Sequence, residues 1–585
     1  MQPQRKRRGK ERIGANPRSL LTGGARELAI VAGLAILLYV NLLGNALVFD
    51  DAELIRKNEA LHRPFDLEAI FGERYWGSVV ENDTLYRPLT SLTFAWNYGL
   101  NRALGLPGDA PAGYHAANVL LHGIVSGLVL LLLRRAGMRH GGALAGALLF
   151  ASLPIHTEAV ASVVGRADLL AALFGIVFLL AHRGRWRLAA APAALLLALF
   201  SKESAVAFAV VALWGDLLLG APDRGLARYA SYAAAIALWL AVRTAVVHGT
   251  TMKILPLDNP LVTAAAADRI ATAGAVQLRY LLLELLPVRL SSDYSLAQIP
   301  LARPFAPAFL GFVVVLAAAA FAVWRLRRSA PLGAFAIGAY AILFLPVSNF
   351  LVTIGTILGE RLAYAPSIFL CAILGLLAVA LEIRIGKRGT VALVATILVL
   401  FAGRTVARNS TWKSEDSFYR TQIATAPNSA KANFNFARLL QEQGKSGEAI
   451  ERYRRAVAIW PNYVDAWNNL GAVLKDSGRF DEAVPALRRA AQIQPSYPRP
   501  YFNLGQIYHL RGDFDAAMEM YRIAARLNPR NAAILSNMAA IHFDRGEWDE
   551  AEALWRQALA IDPAYENARR NLQQLQDERK RTARP

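Results

Sequence analysis

The sequence predicts an all-α protein in two parts: a polytopic bundle of membrane-crossing helices, then a solenoid of short helix pairs. Three observations carry this. Apolar stretches near the length of a bilayer crossing recur from Glu27 to Arg408, each bounded by charge or by Pro and Gly. Pro427, Pro461, Pro495, Pro529 and Pro563 then stand 34 residues apart. Gly444, Gly478, Gly512 and Gly546 keep the same period, as do Ala449, Ala483, Ala517 and Ala551, and Ala456, Ala490, Ala524 and Ala558.

At 585 residues and 55% hydrophobic, the chain is too long and too apolar for one soluble domain. Its formal charge of +20 invites a nucleic-acid reading, but the distribution argues against one. From Asn409 onward there are 25 basic and 21 acidic residues, so only 25 − 21 = +4 of the excess lies there. Much of the rest sits in short clusters beside apolar runs: Arg5 to Arg8, Arg134/Arg135/Arg139, Arg183/Arg185/Arg187, Arg325/Arg327/Arg328 and Arg384/Lys387/Arg388. Such clusters are positive-inside topology signals, and no nucleic-acid partner is expected. The single cysteine, Cys371, lies in an apolar run, which excludes a disulfide framework and a Cys-based metal site. The Ala-, Arg- and Leu-rich composition points to a bacterium, and hence to an inner membrane.

Residues 1–27 form a basic cytoplasmic N-terminus. The apolar stretch 28–48 is long for a signal-peptide core and lacks a small-x-small cleavage site, so it reads as an uncleaved first span. It delivers the segment 49–115, with ten acidic and six basic residues, to the outside. Spans follow near 116–133 and 141–157, 168–182 and 188–200, and 204–220 and 229–247, flanking internal basic turns at Arg134–His140, Arg183–Arg187 and Arg224/Arg228. The stretch 248–305 begins and ends outside, which leaves the apolar run 272–288 as part of a re-entrant pair or an interfacial helix. Spans near 306–325, 332–348, 366–383 and 389–406 complete about eleven crossings. An odd number puts everything after 408 outside, on the face of the 49–115 loop.

Polar residues crowd the external ends of these spans: Asp50 and Asp51, then Arg87, His156 and Glu158, Arg166 and Asp168, Lys202 and Glu203, and Glu360 and Arg361. Ionisable groups at membrane depth are costly, so a shared face of them is a functional hypothesis. The plainer reading is a set of solvated anchors, in which Glu203 offsets Lys202 and Glu360 offsets Arg361. His156 and Glu158 are two apart and diverge on a helix, which makes them a poor metal pair. A carboxylate at the interface beside Lys and Arg at headgroup depth suits transfer from a lipid phosphate, with the carboxylate activating a hydroxyl and the cations stabilising the leaving phosphate. No P-loop, dinucleotide fingerprint or HExxH helix is present, so a soluble nucleotide donor is disfavoured.

Phe49-Asp-Asp51, Tyr86-Arg-Pro-Leu-Thr90, Tyr114-His-Ala-Ala-Asn-Val-Leu-Leu-His122, Pro154-Ile-His-Thr-Glu-Ala-Val160, Val164-Gly-Arg-Ala-Asp168, Ser201-Lys-Glu203 and Glu360-Arg-Leu-Ala-Tyr364 together resemble the transmembrane and tetratricopeptide-repeat O-mannosyltransferases. These are polytopic glycosyltransferases of the GT-C type that use lipid-phosphate sugars. The resemblance implies a GT-C-like domain over 28–408, a polyprenyl-phosphate sugar donor, usually of mannose, and an inverting displacement by a Ser or Thr hydroxyl. It implies a catalytic acid pair in the first external loop, with Asp50 preferred as base over Asp51. Arg166, Lys202 and Arg361 are expected to hold the lipid phosphate. Glu158 and Asp168 orient those cations or bind sugar hydroxyls, and Arg87, His156, Glu203 and Glu360 join the donor site. No metal or other cofactor is expected.

Residues 409–429 form a linker and partial helix. A 34-residue helix–turn–helix unit with small residues at the helix crossing and Pro after its second helix is the tetratricopeptide signature. Units are expected at 430–463, 464–497, 498–531 and 532–565, with 566–577 as a capping helix and 578–585 as a frayed tail. Asn435, Asn469, Asn503, Asn537 and Asn571 recur at the sixth position. First helices line the groove of such an array, so these amides are expected to form a ladder for the backbone of an acceptor polypeptide. The favoured function is an extracytoplasmic protein O-glycosyltransferase whose array presents the acceptor. Two other readings are carried: a polymerase or ligase of lipid-linked glycans, and a non-catalytic repeat-bearing membrane scaffold.

Overall fold

The computed structural model describes residues 19–80, 83–184, 187–221, 225–248 and 254–582. The cluster Arg5–Lys10, with Arg185 and Arg224 of the internal turns, lies outside the described residues. The chain divides into two units, residues 1–295 with 299–421 and residues 296–298 with 422–585. All regular structure among the described residues is helical.

In the first unit a helix stands in each interval read as a crossing, but the helices differ in reach. Among the described residues, six segments are long and apolar enough to span: Gly24–Gly44, Pro111–Arg135, Val163–His182, Ala227–Val247, Pro307–Ser329 and Ser367–Trp412. The pair His140–Ser152 and Pro154–Ala161, bent by 44°, adds a seventh if counted as one span. Ala190–Ser201 has 12 residues, Ala207–Leu219 has 13 and Pro331–Phe344 has 14. A helix of that length rises only about 20 Å, against roughly 30 Å of hydrocarbon. Apolar composition alone therefore overstates their reach. The run 272–288, left open by the sequence, lies in a helix over Ala266–Leu285 that buries Thr272, Tyr280 and Glu284 and exposes Ile270 and Leu282.

Two predicted crossings lie within Ser367–Asn409, a run of 43 residues. Drawn straight, its ends would stand about 60 Å apart. Yet Ser367 Oγ lies 2.7 Å from His156 Nε2, and Thr405 Oγ1 donates to the Ser152 carbonyl at 3.0 Å. Both ends sit on one short stretch of chain, so the run reverses. It does so at Gly386, whose φ of 73° and ψ of 167° no side-chain-bearing residue takes readily. The first arm packs backbone to backbone on the helix His140–Ser152. A Cβ on Gly375 would lie 2.3 Å from the Gly142 carbonyl, and one on Gly146 2.7 Å from that of Cys371. Small residues four apart allow this approach, as is common where helices meet in lipid.

The second unit repeats one motif. First helices start at Ala430, Val464, Pro498 and Ala532, second helices at Ser446, Phe480, Phe514 and Trp548, and a last helix spans Glu566–Thr582. The turn within each pair passes through Gly444, Gly478, Gly512 or Gly546 at φ between 72° and 79°. There the glycine N–H and the next N–H return to the helix, as in Gly444 to Gln441 and Lys445 to Leu440. Ala449, Ala483, Ala517 and Ala551 are fully buried, as are Ala456, Ala490, Ala524 and Ala558. The periodic residues of the sequence are thus the turn and the crossing points of each pair.

Candidate functional site

The chain leaves the first span through Phe49, at φ 55° and ψ −126°, and enters the helix Asp50–Lys57. Asp50, Asp51 and Glu53 fill its first turn, where the exposed N–H groups favour negative charge. The two aspartates have different surroundings. Asp51 is fully buried, and its Oδ1 accepts from Val164 N at 2.9 Å and Ser162 Oγ at 3.0 Å. Its Oδ2 has no hydrogen-bond partner among the described residues. Burial, opposed by those hydrogen bonds, pushes its carboxyl up to about 7. Asp50 is half-buried and keeps access to solvent.

Around this pair the external turns supply cations, each held by a carboxylate from another turn. Arg87 makes a two-pronged contact with Glu203, Nε to Oε2 at 3.0 Å and Nη2 to Oε1 at 2.6 Å, and lies over the Tyr75 ring. Burial opposes the charge on Glu203, but Arg87 more than offsets it and holds that carboxyl down at about 2. Lys202 Nζ donates to Asp168 Oδ1 at 2.6 Å, both nearly buried. Burial lowers the Lys202 pKa, with Asp168 resisting. Arg361 donates its backbone N–H to Glu158 Oε2 at 3.2 Å, and its Nε lies 3.8 Å from Oε1. Burial disfavours its charge, but Glu158, Asp50 and Asp168 raise its pKa overall. Arg87 acts on Arg361 as well, and both Arg87 and Arg361 act on Lys202. Asp50, Arg87, Glu158, Asp168, Lys202, Glu203 and Arg361 therefore form one electrostatic cluster. Beside Asp168 and Ser204 opens a narrow cleft with room for about one water molecule, lined by Phe208, Leu343, Val347, Leu362 and Pro366.

Three of the expected donor-site residues are engaged elsewhere. Arg166 is buried between the Phe94 and Tyr114 rings and donates to Asn118 Oδ1, Thr93 O and Tyr114 O at 2.8, 3.1 and 3.0 Å. It braces the helices that carry the site. His156 is fully buried against Phe150 and Tyr364 and bonds Ser367, so it has no opening to a ligand. Glu360 meets Arg408 at 2.6 Å, Tyr294 OH at 2.7 Å and Ser291 N at 2.7 Å, also fully buried. Neither adjacent pair bonds within itself: Lys202 and Glu203 take different partners, as do Glu360 and Arg361.

The sequence reading passed over Arg408, Tyr75 and Asn118, all of which shape this face. Asn118 Nδ2 donates to the Ser162 carbonyl at 3.0 Å while its Oδ1 receives Arg166. It stands in the Tyr114–His122 motif, which was the available signal. Nothing local marks Arg408 as the partner of Glu360. Among the described residues, no group of three or more His, Cys, Asp or Glu is placed to hold a metal ion.

In the repeats, Asn435, Asn469, Asn503, Asn537 and Asn571 are all half-buried on first helices. Three of them spend their amides inside the protein. Asn469 Nδ2 reaches Tyr453 OH at 3.5 Å, and Asn503 Nδ2 donates to Asn468 Oδ1 at 3.1 Å and receives Lys475. Asn537 Nδ2 donates to Ala533 O at 2.8 Å. The ladder is therefore partly committed to its own repeats: Tyr453 and Tyr521 reach it from the preceding second helices, and Asn468 and Lys475 from a neighbouring first helix.

Residues 434–498 and 508–575 match family models for the tetratricopeptide repeat. Over about three quarters of its length the chain is similar to proteins named protein O-mannosyl-transferase. It is 28% identical over 74% of its length to F38B6.6 of Caenorhabditis elegans, covering 62% of that protein. It is 30% identical over 72% of its length to TMTC4 of Homo sapiens, covering 65%, and 29% identical over 76% to human TMTC1, covering 56%. The chain thus spans less than two thirds of the length of these relatives. It carries tetratricopeptide repeats and is similar to the TMTC protein O-mannosyl-transferases.

Proposed function

We propose that the N-terminal unit transfers mannose, or another hexose, from a polyprenyl-phosphate donor to a Ser or Thr hydroxyl of an exported polypeptide, inverting the anomeric carbon. The reading rests on the cluster around Arg361, where Asp50 and Asp168 act on a cation already paired with Glu158. Asp50 takes the hydroxyl proton as the acceptor oxygen bonds to the anomeric carbon. The bond from that carbon to the phosphate oxygen breaks, and its electron pair leaves on the polyprenyl phosphate. Arg361, Lys202 and Arg87 face the growing phosphate charge, which fixed cations in a water-poor site stabilise strongly. Glu158, Asp168 and Glu203 hold them in place. Because the cations serve in this role, the scheme draws on no metal.

In this scheme the first isoprene units of the donor run along Phe208, Leu343, Val347, Leu362 and Pro366, which flank Asp168 and Ser204. On this reading the site and the array share the extracytoplasmic face of a bacterial inner membrane, and the array presents the acceptor polypeptide. The test is transfer from radiolabelled polyprenyl-phosphate mannose to exported polypeptides by the purified protein in lipid. Label on polypeptide that disappears in Asp50→Asn, with folding retained, supports the proposal. No transfer from mannose or other lipid-phosphate hexoses overturns it.

A further inference from the structure

The segment that leaves the last span is built into the wall of the acid pair. Ala46 donates its N–H to the Lys413 carbonyl at 3.1 Å, and Asn45 Nδ2 donates to that of Asn409 at 3.1 Å. The Phe49 ring stacks on Phe418, with centroids 5.8 Å and planes 22° apart. Phe418 is itself 2% exposed and packs against Trp412.

Phe49 is also one of only four non-glycine residues with positive φ among the described residues. A bulky L-residue keeps such a backbone only when its surroundings impose it. On one side Asp51 ties the turn to Ser162 and Val164. On the other, the ring of Phe49 is fixed by Phe418. Between these two clamps the chain presents Asp50. Without the second clamp, Phe49 relaxes toward an ordinary φ, and a change there swings the next residue directly.

We propose that Phe418 is a positioning residue for the transfer reaction: it holds Phe49 in its strained conformation and so fixes the aim of Asp50. This rests on the reading of Asp50 as the base. The segment 409–421 then sets turnover as well as connecting two parts of the chain.

The test uses the full-length protein in lipid. Phe418→Ala lowers kcat by about 10- to 100-fold, the cost of a misplaced catalytic group, with KM for donor and acceptor unchanged. Phe418→Tyr keeps the stack and keeps kcat. Adding Phe49→Gly to Phe418→Ala restores kcat, because glycine holds a φ of 55° without a ring to fix it. Amide exchange over residues 46–52, which needs no activity, speeds up in Phe418→Ala. Unchanged kcat and exchange in a folded Phe418→Ala protein overturn the inference, as does a loss that Phe49→Gly does not relieve. A wild-type protein that transfers no sugar, yet shows the faster exchange in Phe418→Ala, overturns the functional reading and leaves the clamp standing.

Discussion

The buried ion pairs of the first unit and the periodic exposed pairs of the second do opposite work. In the first, Lys202–Asp168 and Arg408–Glu360 join separate elements at 2.6 Å with side chains at most 11% exposed. In the second, Arg511–Asp481, Arg545–Asp515 and Arg579–Asp549 repeat the same 30-residue reach at 2.5 Å, but their aspartates are 92–97% exposed. Similar distances carry different weight. A buried pair that loses one member strands the other charge away from water, whereas an exposed pair returns both to solvent. The first unit holds these buried charges by pairing them across separate elements; the second uses its pairs as finish on a surface already held by buried alanines.

This contrast can be broken in order of expected effect. Asp50→Asn should lower kcat by roughly 10²- to 10⁴-fold, the usual share of a general base, while the thermal midpoint stays put. Glu360→Ala should cost about 3–5 kcal/mol by leaving Arg408 buried and unpaired, read from denaturant unfolding in detergent. In the second unit, Gly505→Ala should cost about 1–3 kcal/mol, since the new Cβ would lie 2.5 Å from the Tyr521 ring. Burial raises the Asp51 carboxyl from 3.8 to about 7, so the folded state binds its proton more tightly than the unfolded chain. Its contribution is therefore most favourable below pH 4 and declines as pH climbs toward 7. Asp51→Asn keeps an oxygen for Val164 and Ser162 and should remove that slope, raising the midpoint at pH 8 but not at pH 4. Smallest of all, Arg545→Ala should leave the midpoint unchanged. A large loss there would dissolve the distinction between the two units.

The repeats were the more legible half. A period of 34 residues predicts first helices from positions 430, 464, 498 and 532, and they start there. Turn glycines and crossing alanines are local requirements repeated in register, and local requirements show in a sequence. Partner choice in the first unit is not local. Lys202 is extended, with φ −160° and ψ 135°, so it and its neighbour Glu203 project to opposite sides and find partners 34 and 116 residues away. The external turns marked the residues of the cluster together with three that are engaged elsewhere, and could not predict which carboxylate holds which cation. Arg166 and His156 were legible as polar residues at span ends, but their burial by Phe94, Tyr114 and Tyr364 depends on helices distant in the chain. Hydropathy likewise marked 204–220 as a crossing without revealing that its α-helix, Ala207–Leu219, has only 13 residues.

The reversal at Gly386 also bears on biogenesis. By bringing the end of the last span back, it lets Asn409 donate to the Leu38 carbonyl and receive Asn45, which lies 364 positions earlier in the chain. The first span leaves the ribosome long before that partner exists. At about 5–20 residues per second the wait is on the order of tens of seconds. The Asp50 turn gains its first wall once Ser162 and Val164 are made and lacks the other until the segment after Asn409 follows. The acid pair is therefore among the last features of the first unit to take shape, and the nascent chain carries an unfinished site until Asn409 and the segment after it have been made.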